Sequence, residues 1–183
     1  MSEELLIKHC SPTLAGIKTG SLFACSFPDK ARMRECVRCW NRQLTGKGLR
    51  VLPLRFQNKR ALIYVYRPSR LSADLRNGVA EQLLKARGYC TDTSEKCVMH
   101  LIRRLCEYEE FPHEIGLFLG YPPEDVYGFI ENKADGFKCV GCWKVYGDAR
   151  AAQKTFARYK KCSDIYAVQY ANGRSIERLT VAG

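Results

Sequence analysis

The stretch that decides the fold reads DKARMRECVRCWNRQLTGKGLRVLPLRFQNKRALIYVY over residues 29–66. Asp29 is placed to cap a helix, because a short acidic side chain accepts from the unpaired N–H groups of a first turn. Met33, Val37, Trp40 and Leu44 recur at the spacing of one buried helical stripe, and Gly46 closes it. Lys30, Arg32, Arg34, Arg38 and Arg42 fall on the other faces. Two apolar runs follow, Leu49–Phe56 and Ala61–Tyr66, separated by Gln57-Asn58-Lys59-Arg60. That pattern predicts a β-hairpin. Pro53 has no N–H to give to a ladder, which confines its strand to an edge or a bulge.

Further elements extend the pattern on both sides. Ser11 and Pro12 read as N-cap and first position of a helix running to about Phe23. Leu71, Leu75, Val79 and Leu83 predict another helix, ended by Gly88, and Asp92 with Glu95 a capping box for one reaching about Tyr108. Short helices are expected at Pro112 and at Pro122 or Pro123. Cys139–Tyr146 reads as a strand, and Asp148 as the cap of a helix to about Lys161. Ile165–Tyr170 and Arg178–Val181 read as strands joined by Asn172-Gly173, a hairpin dipeptide. The fold class is therefore α+β: a small antiparallel sheet with about five to seven helices packed on it. No Pro-, Gly- or Ser-rich linker interrupts the chain, so residues 1–183 are expected to form a single compact domain.

Composition narrows the function classes. The 183 residues are 46% hydrophobic and 27% charged, without a long apolar run or a basic segment leading into an apolar one. The expectation is a cytoplasmic protein with no membrane contact. Ten cysteines then read mostly as small apolar residues, Cys25, Cys97 and Cys106 among them. The net charge of +11 is uneven. Residues 30–60 hold ten Lys/Arg against Glu35 alone, whereas residues 105–136 hold eight acids against Lys133 alone. Two faces of opposite sign are expected.

Several blocks carry a family resemblance: FPHEIGLFLGYPPEDVYGFI (111–130), HCSPTLAGIK (9–18), VYRP (65–68), GCWKVYGD (141–148) and YKKC (159–162). Together they resemble a family of small basic proteins from anaerobic, gut-type Firmicutes. Some of its members are associated with inhibition of RNA-guided type II CRISPR nucleases. The resemblance implies an anti-CRISPR protein whose partner is such a nuclease with its guide RNA. It supplies no functional residue, so the candidate sites rest on the chain's own chemistry.

The basic block is the strongest of these. Arg32, Arg34, Arg38, Arg42, Lys47, Arg50, Lys59 and Arg60, with Arg55 beside them, have the density that neutralises phosphates and releases counterions. Phe56, Tyr64 and Tyr66 are candidates to stack on bases. The acids Glu107, Glu109, Glu110, Glu124, Asp125 and Glu131 are candidates to meet the basic surface of a protein partner, and Glu114 and Asp135 belong to the same block.

Two thiol readings stand as alternatives. Cys10, just before a presumed helix start, would have a lowered pKa, with His113 as base and Glu114 as orienter. Cys36, Cys39, Cys139 and Cys142 form two C-x-x-C pairs that in principle supply four thiolates to a metal. The wide separation of the pairs favours plain buried cysteines instead. The alternative function is a cysteine-dependent enzyme or thiol/metal protein of anaerobic metabolism. Walker A, G-x-S-x-G, H-E-x-x-H and G-x-G-x-x-G patterns are absent. The reading is thus a non-enzymatic binding protein without a cofactor, touching a nuclease and duplex DNA.

Overall fold

The computed structural model describes residues 2–27, 29–108 and 110–183. Where the sequence suggested one compact domain, the contacts gather into two units. The first is Met1–Ser69 with Tyr159–Gly183, and the second is Arg70–Arg158.

The first unit is built on a three-stranded antiparallel sheet, β1 (Gly20–Ser26), β2 (Arg50–Gln57) and β3 (Arg60–Tyr66), in the order β1-β3-β2. The predicted hairpin is β2–β3. Pro53 lies on the edge strand, and the register slips between Pro53 and Arg55 as a bulge. Both places suit a residue with no N–H to donate. Helix α2 (Lys30–Leu44) starts where expected: Asp29 Oδ1 accepts from Arg32 N at 2.8 Å. Its stripe of Met33, Val37, Trp40 and Leu44 is buried. It packs with Phe23, Val51, Ala61, Ile63 and Val65 of the sheet, beside Leu6, Cys10 and Leu14 of α1 (Glu3–Leu14).

Helix α1 corrects the expectation for residues 11–23. It is capped by Ser2 and ends at Leu14, so Ser11 and Pro12 lie in its last turns and β1 occupies 20–26. The Ser11 hydroxyl is buried and donates back to the Ile7 carbonyl. Such back-bonding lets serine sit inside a helix. Buried Arg67 ties this end together: its guanidinium donates to the carbonyls of Thr13, Leu14, Lys47 and Val181.

The C-terminal strands are also corrected. Helix α8 runs from Ala149 to Ala171, and a single turn, α9 (Ile176–Leu179), follows. Tyr166 and Tyr170, four residues apart, lean on the first unit's core, and Tyr166 Oη donates to Leu179 O at 2.7 Å. This packing outweighs the strand propensity of Ile165–Tyr170. Gly173, at φ +82°, closes the helix, with Arg174 N donating to Gln169 O. Asn172-Gly173 is therefore a helix stop, not a hairpin turn.

The second unit is mainly helical. The single helix expected over 71–83 is two, α3 (Pro68–Leu75) and α4 (Gly78–Ala86). Asn77 breaks it by accepting from Val79 N and Ala80 N, which leaves Val79 exposed. Helix α5 (Ser94–Glu107) is capped by Thr93, one residue after the predicted Asp92, which instead pairs with Lys96. Short α7 (Pro123–Glu131) begins at the Pro122-Pro123 turn as expected, whereas α6 (Ile115–Phe118) begins three residues after the expected Pro112. Cys139–Tyr146 is not one strand but a minimal hairpin of β4 (Cys139–Val140) and β5 (Lys144–Val145). These splits, and the helical C-terminal segment, bring the helices to nine among the described residues, more than the expected five to seven. None is long and apolar enough to cross a membrane.

Candidate nucleic-acid interface

Helix α2 is fixed before its charges matter. Asn41 clasps the edge strand twice, donating to Val51 O and accepting from Val51 N, both at 2.8 Å. With the apolar stripe turned inward, i,i+4 spacing lines Lys30, Arg34, Arg38 and Arg42 along one exposed row. Among the described residues, none of these four forms an ion pair. Each adjacent like-charge pair costs a helix roughly 0.2–0.5 kcal/mol. A row of this kind is a standing electrostatic cost that an anionic partner would relieve. Lys30 belongs to it although the phosphate candidates began at Arg32. The i,i+4 spacing was the signal for it. Arg32 points to the other flank and pairs with Asp29 at 3.6 Å.

The row continues onto the hairpin tip. Lys30 Nζ sits 5.9 Å from the Phe56 ring centroid, and Phe27 N donates to Lys59 O. At the tip, Asn58 and Lys59 hold φ of +48° and +57°, the left-handed pair of a tight hairpin turn. This projects exposed Lys59 and Arg60 beside the helix start.

Other members of the basic block do not join them. Strand alternation turns exposed Arg50 to the sheet face opposite Val51. Lys47 is a structural cap, donating to the carbonyls of Glu177 and Thr180. The aromatic candidates are corrected as well. Tyr64 and Tyr66 are buried and stack on each other at 4.5 Å, and half-buried Phe56 meets Phe27 edge-on at 5.2 Å. The face offers charge to phosphates and little ring surface to bases.

The cysteine reading rested on Cys10 at a helix start, and the structure places it eight residues into α1. It is fully buried there, and desolvation, outweighing Lys18 and a hydrogen bond from Ser21, pushes its thiol up to about 12. A neutral core thiol is no nucleophile. Its presumed orienter is occupied. Buried Glu114 accepts from Tyr89 Oη at 2.9 Å and faces Arg104 Nε at 3.1 Å and Arg87 Nε at 3.7 Å. Burial and that carboxylate hold the Tyr89 phenol well above its ordinary range. His113 rests edge-on against Phe129 at 5.0 Å. Cys36 and Cys39 are half-buried on α2, while Cys139 lies on β4 and exposed Cys142 in the turn between β4 and β5. Among the described residues, no three His, Cys, Asp or Glu side chains gather as a ligand set.

Of the acidic candidates, Glu107, Glu110, Glu124 and Glu131 are exposed, and Glu109 lies outside the described residues. Asp125 is a correction. It is buried, and its carboxylate accepts from Trp143 Nε1, Tyr146 N and Gly147 N, each at 2.7 Å. It organises the β4–β5 hairpin instead of meeting a partner. Sequence reasoning missed that role, and those of Arg67 and Tyr89, because each depends on atoms distant along the chain.

No curated protein and no solved structure matches the chain. Residues 6–180 match the family described as protein of unknown function (DUF3793), and the chain belongs to that family.

Proposed function

We propose that the chain is a non-enzymatic binding protein that holds a nucleic-acid backbone along α2 and the β2–β3 tip. The observation that carries this is the unpaired row Lys30, Arg34, Arg38 and Arg42, continuous with Lys59 and Arg60. Four residues of helix rise about 6 Å, so the row spaces its charges over about 18 Å, against one phosphate per about 3.4 Å of axis on each DNA strand. It can follow one strand for roughly five phosphates. Scarce exposed aromatic surface makes this contact indifferent to base identity.

The finer reading follows from the resemblance of the sequence: a cytoplasmic inhibitor of an RNA-guided type II CRISPR nuclease. Such a nuclease exposes basic channels for guide and target and must rearrange between binding and cutting. Exposed Glu107, Glu110, Glu124 and Glu131 supply carboxylates for such a channel. A chain of net charge +11 cannot mimic duplex DNA as a whole, so inhibition would act on the nuclease–DNA complex. The test mixes purified protein, guide-loaded nuclease and target DNA, and follows cleavage and DNA retention separately. Blocked cleavage with DNA still held is the expected result. Undiminished cleavage by several type II nucleases at large molar excess would overturn the inhibitor reading. The phosphate-binding reading would then stand or fall on titration of duplex DNA alone.

A further inference from the structure

We propose that the second unit contains a binding site for a small aryl-substituted carboxylate, separate from the basic face. Two cavities share Phe111, His113 and Phe129 as walls and therefore adjoin. One measures about 200 Å³, opens to one side and is mainly apolar, with Ile115, Tyr121, Val126 and Trp143 on its walls and Asp125 and Lys144 at its edge. The other measures about 580 Å³ and mixes apolar walls with the charged groups of Arg87, Arg104, Glu114 and Lys133.

The apolar chamber is built to stay open. Trp143 is held by its indole N–H on Asp125 and by stacking on Tyr121 at 4.7 Å. A Cβ at Gly116 would come within 2.8 Å of Val126, so glycine there lets α6 and α7 approach closely. An apolar cavity of about 150 Å³ suffices for a benzene ring. This chamber therefore takes a single ring or an indole. A nucleobase fits poorly, because Asp125 already accepts three hydrogen bonds, Lys144 Nζ donates to Ala134 O, and no other carboxylate or amide side chain lines the chamber. Each unmatched edge group would cost about 1–3 kcal/mol.

The larger chamber supplies the charge preference. Arg87 and Arg104 share one carboxylate, Glu114, and both side chains remain about a quarter exposed, at 24% and 28%, although Arg104 Nε itself is buried. Exposed Lys133 adds a cation and exposed Glu110 removes one, so a net positive charge faces the opening. Lys133 and Ala134 hold φ of +49° and +68° after α7, with Lys144 Nζ donating to Ala134 O. This turn carries Lys133 to the cavity wall. A ligand with a ring for the first chamber and a carboxylate on a short chain for the second satisfies both. The same chemistry occurs in a free arylalkanoic acid and in a polypeptide ending in phenylalanine.

Calorimetric titration of the full chain with 3-phenylpropionate tests this. A ligand of that size in a pocket of this quality binds with Kd of about 0.1 mM. The matched alcohol, 3-phenylpropan-1-ol, and the ringless acid hexanoate should each bind at least about tenfold more weakly, the loss of one charge contact or one buried ring. Phe111→Ala, in a loop and partly exposed, removes a wall common to both chambers and should weaken binding several-fold. Lys133→Asn suits the left-handed turn and should reduce the preference for acid over alcohol, with circular dichroism confirming the fold of both variants. Tighter binding of a tetrapeptide ending in phenylalanine, lost on amidation, would assign the carboxylate to a chain terminus. No saturable binding of 3-phenylpropionate, equal binding of acid and alcohol, or indifference to Phe111→Ala would overturn the proposal.

Discussion

Replacing Arg34, Arg38 and Arg42 together by glutamine should weaken DNA binding and stabilise the fold at once. Six cations form the continuous face: Lys30, Arg34, Arg38, Arg42, Lys59 and Arg60. If each meets a phosphate, log K should fall against log salt with a slope of about −5.4, and the variant's slope should be about −2.7. Between 50 and 200 mM salt the natural chain would lose about 1,800-fold in affinity and the variant only about 40-fold. Stability moves the other way. The substitution removes three adjacent like-charge pairs, worth together about 1 kcal/mol, while glutamine keeps nearly the helix propensity of arginine. For a chain of this length that raises Tm by about 2–4 °C. Fluorescence anisotropy on a duplex at several salt concentrations measures the slopes, and thermal melts measure the rest. A merely structural row would lose stability when cut; a solvated, unused one would leave the slope unchanged. Equal slopes in the two proteins, or a melting point that falls, would refute the reasoning.

Three more outcomes follow from particular contacts. Lys59→Gly removes a side chain from a left-handed position and should stabilise the hairpin by about 1 kcal/mol, read by denaturant titration, while lowering the salt slope by about one unit. Asp125→Asn leaves the Trp143 indole N–H facing an amide donor and should cost about 1–3 kcal/mol; much of that loss should be absent when Trp143→Phe is made as well, which a double-mutant cycle would reveal. Cys10 makes stability fall in alkali. Its folded pKa of about 12 lies above the ordinary unfolded value of about 8.5, so its contribution is complete below pH 8.5 and is lost as pH rises towards 12. From pH 8.5 to 10 the natural chain should lose about 1.6 kcal/mol more than Cys10→Ala, and a parallel decline in both would show that the buried thiol is not responsible.

Legibility in the sequence followed the range of the interactions. Helix α2 and the β2–β3 hairpin were readable because an inward stripe, a capping aspartate and a turn all lie within a few residues of what they determine. Ser11-Pro12 and Asn172-Gly173 misled for a different reason. Each dipeptide suits two opposite places: Ser-Pro opens helices but also sits in a closing turn, and Asn-Gly makes hairpin turns but also stops helices. Which use applies is decided by Ile7 beneath Ser11 and by the core beneath Tyr166 and Tyr170. At the site, the row was visible as spacing. The removal of Lys47 from the basic block and of Asp125 from the acidic one was not, since their partners lie far along the chain.

Those removals bear on how the net charge of +11 should be understood. Several of the cations serve the backbone. Lys47 holds Glu177 and Thr180, Lys138 holds Gly147, Lys144 holds Ala134, and Arg67 gathers four carbonyls. They close ends of elements that would otherwise leave carbonyls unpaired, and they would be needed whatever the protein binds. The row on α2 closes nothing. Its charges oppose one another on a helix already secured by Asn41 and by its apolar stripe, and Lys30 alone among the four has a contact, with the Phe56 ring, among the described residues. A side chain that costs the fold and caps nothing is where an interaction surface should be sought. By that criterion Lys47, Arg67, Lys138 and Lys144 belong to the scaffold and the α2 row with Lys59 and Arg60 to the interface, and of these only the second set should appear in a salt titration.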